Sequence, residues 1–375
     1  MTTKKNRNHM PKFYEVYGHD VYDQSADAVA DRKAAYCPFT ENTCDGGGNR
    51  HQTKIKLENS KLASYFNPDL KSVIPGICSI QYGNETWVVC PRRLLGFYSK
   101  NDRIPTINET LHDHEREALI QAGLPRGVEL GVWPEVYLQY GDDETSINYH
   151  FDFVIAPVQR NRSFSWLLES HHIREKPDIE TYKAAAKTGK YLKGRYDPNQ
   201  AVPVLPDLVS PVIVEVMTAS TSGSDKEAGT DIASSFTQAI LGEDHNCPGI
   251  NKRQVWGRMA TQLFAKSALA EEWGGRTVWL VQDQLLHNIE LTTKLNLSTP
   301  SKDTRGTINF LSMHYNDGEK GVNSLKLDSC KTQSAGLDFN GNDKATDILL
   351  PKINPDKNTL LKAVLRRKLS AIIQL

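Results

Sequence analysis

The sequence predicts an α/β protein in which a mixed central sheet is flanked by helices, behind an amino-terminal, loop-rich region that carries most of the cysteines. Three observations lead there. The run Val212-Ile213-Val214-Glu215-Val216-Met217 is nearly continuously apolar, as a strand buried on both faces is. The segment Gln254 to Trp273 carries Val255, Trp256, Met259, Leu263 and Phe264 on one wide face, is stopped by Gly274-Gly275, and leads into the apolar strand Thr277 to Gln282. Strand, helix and strand in that order build a sheet covered by helices. Finally, Cys37, Cys44, Cys78 and Cys90 all fall within the first quarter of the chain, among Gly, Asn, Pro and Tyr.

Taken in order, residues 1–105 read as a metal-binding and ligand-contacting region. The stretch Asp45-Gly46-Gly47-Gly48-Asn49 is flexible and long apolar periods are few, so a metal is the natural staple. Residues 106–300 read as the core. Leu111 to Leu124 has helical spacing, ended by Gly123 and Pro125. Val132 to Tyr140 is aromatic and β-branched, though interrupted by Pro134, and Phe151 to Ile155 is a short apolar strand. Residues 171–205 are polar and form an excursion, and 227–241 form a helix closed by Gly242. Residues 301–375 read as an extension with a terminal helix, because leucines from Thr359 to Ile373 recur at helical spacing. His112, His114, His171 and His172 lie in polar stretches and read as surface residues.

Composition bounds the function. In 375 residues, Lys+Arg and Asp+Glu are both 45, so there is no overall positive field, and a nucleic-acid binder would rely on local basic patches. The start MTTKKNRNHM is polar and basic, which argues against a secretory signal, and no apolar run is long enough to span a membrane. The expectation is a cytoplasmic protein whose thiols stay reduced and available to metal.

The cysteine spacing is C-x6-C, 33 intervening residues, then C-x11-C. Pro38 and Pro91 follow Cys37 and Cys90 directly and disfavour helix at those positions, as a loop-borne ligand requires. Four thiolates select zinc or iron; a disulfide pair and ordinary buried thiols are the alternative readings of the same spacing. Cys247 and Cys330 are isolated.

Asp152 and Glu215 are each the lone acid of an apolar strand. A buried carboxylate needs a cation or a metal, and two on neighbouring strand ends would form a Mg2+ site suited to phosphodiester hydrolysis. An aspartate followed at variable distance by E-x-K is the pattern of the PD-(D/E)xK nucleases, but Met217 stands at the third position. The alternative is two strand carboxylates satisfied by salt bridges.

Together, Cys37-Pro38-Phe39, Cys44, Cys78, Trp87-Val88-Val89-Cys90-Pro91, Glu144 to Asn148, Phe151-Asp152-Phe153, Val214-Glu215-Val216 and the helix Lys252 to Leu269 resemble, in order and character, the NotI-like type II restriction endonucleases. The resemblance runs from about residue 13 to 290. It implies a homodimeric, Mg2+-dependent nuclease of double-stranded DNA, with a PD-(D/E)xK core and an iron held by Cys37, Cys44, Cys78 and Cys90, zinc being the other thiolate metal. It also implies that Asp152 and Glu215 hold Mg2+, with Glu144 a further acid nearby. Met217 departs from the family, which has glutamine there. Residues two apart on a strand share a face, so Met217 is expected to point at the metal beside Glu215, where a thioether can neither bind Mg2+ well nor orient water. The position is then dispensable, or Thr218, Ser220 or Lys226 replaces it, or the protein is a weak or inactive nuclease.

For DNA contact the sequence offers Arg92 and Arg93, which a metal-held loop would present for base reading, and the patch Lys190, Lys193 and Arg195 with Tyr191 and Tyr196 interleaved; the alternatives are a pair of solvated surface arginines and a solvated lysine face. The resulting expectation is a bacterial, cytoplasmic enzyme cutting a short, GC-rich palindrome, since a symmetric dimer reads one half-site per subunit. The competing expectations are a metal-stabilised DNA-binding protein without activity and a metalloprotein with no nucleic-acid role, which would show no salt-dependent DNA affinity.

Overall fold

The computed structural model describes residues 10–48, 53–97, 103–109, 111–141, 147–194, 197, 199–222, 230–293, 307–316, 325–327, 333–336 and 355–375. Aromatic and β-branched residues alternate along Lys12–Val16 (β1), Ile77–Tyr82 (β2) and Glu85–Val88 (β3), which pair as a small antiparallel sheet edged by His19–Asp20. Beside it runs Ala26–Ala34 (α1), begun by Ser25, whose hydroxyl accepts the Ala28 N–H, and ended by left-handed Ala35.

The main sheet is mixed. Leu130–Tyr140 (β4) and Ile147–Ser163 (β5) form a long antiparallel pair, and Ala201–Pro206 (β6) lies against the far half of β5. Val212–Met217 (β7) runs antiparallel to β5, then Arg276–Gln282 (β8) and Thr307–Tyr315 (β9) continue parallel to it. Leu325–Leu327 (β10) and Gln333–Gly336 (β11) pair with β9, and Ala371–Ile373 (β12) closes the opposite edge on β4.

Among the described residues there are eight α-helices. Asp113–Gln121 (α2) covers one face of the sheet with Leu94, Leu95 and Phe97, over Phe153, Val212, Val214 and Leu280. Phe164–Ser170 (α3), Lys176–Thr188 (α4), Lys357–Leu365 (α8) and the later turns of Lys252–Glu272 (α6) cover the other face, over Trp133, Phe151, Val154 and Ile213. Ile232–Ile240 (α5), the early turns of α6 and Asp283–Thr293 (α7) share a third cluster with the small sheet, in which Phe13 and Trp87 pack with Met217, Trp279, Leu286 and Phe310.

The expected core is therefore an α/β sheet flanked by helices, but the expected boundaries differ from the packing. The 301–375 segment is no appendage: β9 and β12 are strands of the main sheet, and α8 is buried through Leu360, Leu361 and Leu365. Its leucines read as a helix continuing to Ile373, yet the helix stops at Leu365 because the chain turns to add β12 to the sheet edge. His114 is buried, and His112 belongs to a capping box with Glu115, so these two histidines are helix-start residues and not a solvated pair. Among the described residues no helix is long and apolar enough to cross a membrane.

Candidate active site

The ladder between β5 and β7 ends at Phe153↔Val214. One step further the strands fork, and Asp152 and Glu215 stand opposite each other at the fork. The Val216 N–H, left without a ladder partner, donates to Asp152 Oδ2 at 2.8 Å. The other neighbour strand is irregular at the same level. Phe151 pairs with Val136 and Phe153 with Pro134, so the register is kept, but Asp152 and Glu135 between them are not paired, Glu135 has φ +52°, and Trp133 and Val136 fall on the same face. A left-handed glutamate in a strand costs on the order of 1 kcal/mol and concentrates where geometry serves a site. Pro134, which broke the strand pattern in the sequence, adjoins this irregularity.

Glu215 is buried and its Oε2 accepts from Lys266 Nζ at 2.6 Å, while its Oε1 is buried without a hydrogen-bond partner among the described residues. Burial, and then the neighbouring Asp152 carboxylate, push Glu215 up to about 8. Burial also raises Asp152, against the Val216 N–H and the Lys266 charge. Lys266 lies over the rings of Phe151 at 5.6 Å and Trp279 at 5.9 Å. On the open side of Asp152, Glu135 Oε2 stands 2.9 Å from His150 Nε2 and its Oε1 3.5 Å from Arg92 Nη2; His150 is the first cause that holds Glu135 below the usual carboxylate range.

Met217 does not join this group. It shares the face of Glu215, as strand alternation requires, but lies in the hydrophobic cluster with Met259, Leu263 and Trp279. Its replacements go elsewhere too. Thr218 Oγ1 donates to the Val89 carbonyl at 3.3 Å, Ser220 pairs with Asn251, and Lys226 lies outside the described residues, as do Glu144 and Arg195. Lys266, Glu135 and His150 are site residues that the sequence reading missed, and of these Lys266 carried a signal. It was legible as the one cation on a buried stripe: Met259, Leu263, Lys266, Ala270 and Trp273 recur at helical spacing on α6.

The expected arginine pair is corrected. Arg93 is fully buried, its guanidinium on Glu15 through Nε at 3.1 and 3.2 Å and Nη2 at 3.0 Å, and over the Phe39 and Tyr315 rings. Arg92 is also buried and bridges Asp45 and Glu135. Neither is presented to bases; the turn after Cys90 folds both inward, one to lock the small sheet and one to reach the carboxylate group. Arg93→Ala is expected to destabilise the protein by about 3–5 kcal/mol, because Glu15 is left buried without its cation; chemical denaturation measures this, and an unchanged midpoint would remove the structural role. Lys190 and Lys193 are exposed and line a cavity of about 460 Å³ with Arg103, Lys368 and Tyr191.

The four cysteines are brought together. Val89 and Cys90 both donate N–H groups to the Cys78 carbonyl, at 3.0 and 3.2 Å, and the Cys44 N–H donates to Ala35 at 2.8 Å within the hairpin that carries Cys37. Gly18 N–H points at Cys78 Sγ at 3.3 Å, and a side chain on Gly47 would meet Cys90 Sγ at 2.6 Å, so the backbone closes tightly round the sulfurs. Burial first, then the other thiols, raise Cys44 and Cys78 well above the ordinary range, and burial pushes Cys90 up to about 12. Buried sulfurs that would repel one another as thiolates fit a divalent thiophilic cation chemically. Among the described residues, however, no three His, Cys, Asp or Glu side chains stand in a finished metal-binding geometry, and all four cysteines are free of disulfides.

A strap joins the two places. Val88 donates to the Gln282 side chain at 2.8 Å, Gln282 donates back to the Thr86 carbonyl at 2.6 Å, and Ala219 donates to Val88 at 3.0 Å, so the strand leading to Cys90 runs across the ends of β7 and β8. No protein-family model matches the chain, and comparison with curated proteins gives no significant match.

Proposed function

We propose that the chain is a Mg2+-dependent type II DNA endonuclease with a PD-(D/E)xK core, working as a homodimer on a short palindrome in a bacterial cytoplasm. The observation that carries this reading is the fork between β5 and β7, where Asp152 and Glu215 face each other beside a buried lysine and one Glu215 oxygen lacks a partner. Three antiparallel strands, then a helix and a parallel strand, agree with the core that the resemblance implies. Asp152 and Glu215 would hold the Mg2+, which would lower the pKa of a bound water and neutralise charge on the phosphate. Cys37, Cys44, Cys78 and Cys90 would hold an iron or zinc that braces the strap, with no part in cleavage.

The test is digestion of a long, sequenced DNA with and without Mg2+, with the fragment ends sequenced. Discrete Mg2+-dependent fragments sharing one palindrome are the expected result. Intact DNA, bound specifically and released by salt, would support the second reading, a DNA-binding protein without activity, which Met217 favours.

A further inference from the structure

We infer that Lys266 of α6 contacts the scissile phosphate and takes the cationic role that Met217 cannot fill; the inference rests on the endonuclease reading above. Two buried ion pairs in this molecule show the contrast. Around Glu15 every acceptor is used: Oε1 receives Arg93 Nε and Nη2, and Oε2 receives Arg93 Nε, Ser79 and the Tyr315 hydroxyl. That is a closed structural pair. Around Glu215 the ammonium of Lys266 sits on Oε2 and the Asp152 backbone N–H also favours the carboxylate, but Oε1 has no hydrogen-bond partner among the described residues. A lysine in mid-stripe of a buried helix face carries a desolvation cost that a leucine would avoid. An incomplete pair there does little for stability and is suited to meeting a further ligand.

Among the described residues the approach is open on the Asp152 side. β7, β8 and α6 close the group from behind, whereas Asp152 is partly exposed and His150 and Glu135 beside it are half exposed. A phosphodiester entering from that side meets the carboxylates first. Were Glu215 to serve as a metal ligand, Lys266 would lack its anion, and a phosphoryl oxygen brought to the same group would supply one. Three other described cations lie near the group: Arg92 on Asp45 and Glu135, His150 on Glu135, and Arg367, whose Nε donates to the Pro134 carbonyl at 3.2 Å beside Glu135. In the reaction, a water oxygen forms a bond to phosphorus, one phosphorus–oxygen bond to deoxyribose breaks, and the released oxygen gains the proton that the water loses. Lys266 Nζ donates to a non-bridging oxygen as its negative charge grows.

Three variants test this: Lys266→Met, Lys266→Arg, and the double variant Met217→Lys with Lys266→Met, which returns an amine to the same face from the strand. Single-turnover cleavage, DNA Kd without Mg2+ and melting are measured for each. Lys266→Met is expected to slow cleavage about 10²–10³-fold with DNA Kd unchanged, as for loss of one transition-state contact. The double variant is expected to recover about tenfold of that. Lys266→Arg keeps the charge and the pair, so a structural role predicts unchanged cleavage, whereas the displaced, planar head is expected to slow cleavage at unchanged melting. If Lys266→Met does not fold, Lys266→Arg decides. Wild-type cleavage in either folded single variant overturns the assignment while the endonuclease reading stands; a wild-type protein that cuts no DNA overturns both.

Discussion

If the chain is the endonuclease proposed above, Asp152→Asn is expected to abolish its Mg2+-dependent cleavage, by about 1,000-fold or more, while melting and DNA binding hold. The scale follows from losing a group that acts in the transition state, where even one contact is worth about 10²–10³ in rate. The choice of asparagine matters. Its amide oxygen still accepts the Val216 N–H that Asp152 Oδ2 holds at 2.8 Å, so the fork between the strands stays closed. It also removes one of two adjacent carboxylates, each of which burial already pushes towards the neutral form. Relief of that repulsion means the variant melts no lower than wild type. Glu215→Gln is a blunter instrument, because it leaves Lys266 buried without its anion and loses stability along with activity. A folded Asp152→Asn protein that cuts at the wild-type rate would remove Asp152 from the site.

How far this arrangement was legible beforehand depends on what each residue had to reveal. Asp152 and Glu215 were visible because an acid in a run such as Val212 to Met217 breaks a strong apolar pattern. Lys266 was hidden for the opposite reason: a lysine every few residues is ordinary on a helix, and only the phase of Met259, Leu263 and Trp273 puts this one inside. The arginines misled because a doublet after a cysteine reads as a presented pair. Their inward turn depends on Glu15, 78 residues upstream of Arg93, and on Glu135 across the fold, and no local pattern records such partners. The carboxyl-terminal segment was misjudged in the same way. Its helix is local and was read, whereas β9 and β12, two of its four strands, join the sheet through pairing with β8 and β4, which only the assembled fold brings near.

Cys78→Ser is expected to empty the thiol cluster of metal and to lower melting by several degrees, with less effect on the chemistry of the molecules that stay folded. Cys78 is the most constrained of the four: it is buried in β2, it receives the Gly18 N–H on its sulfur, and its carbonyl holds Val89 and Cys90. A serine there makes a poor thiophilic ligand, and a three-cysteine remnant binds metal far more weakly. The distinguishing readout is metal content. If the four thiols are only a buried apolar cluster, iron and zinc are absent from the wild-type protein as purified, and the serine costs about 1–3 kcal/mol for a hydroxyl in an apolar place. If they hold a metal, the wild type carries about one ion per chain and the variant loses both the ion and the larger stabilisation that metal binding contributes to folding. The loss then spreads along a defined path. Cys90 precedes Arg92, which reaches Glu135, and Val88 and Val89 hold the segment after Glu215 through Ala219 and Thr218. Loosening the cluster therefore relaxes the far wall of the carboxylate fork without removing any of its groups, and the expected kinetic trace is a modest fall in cleavage that Asp152→Asn cannot produce.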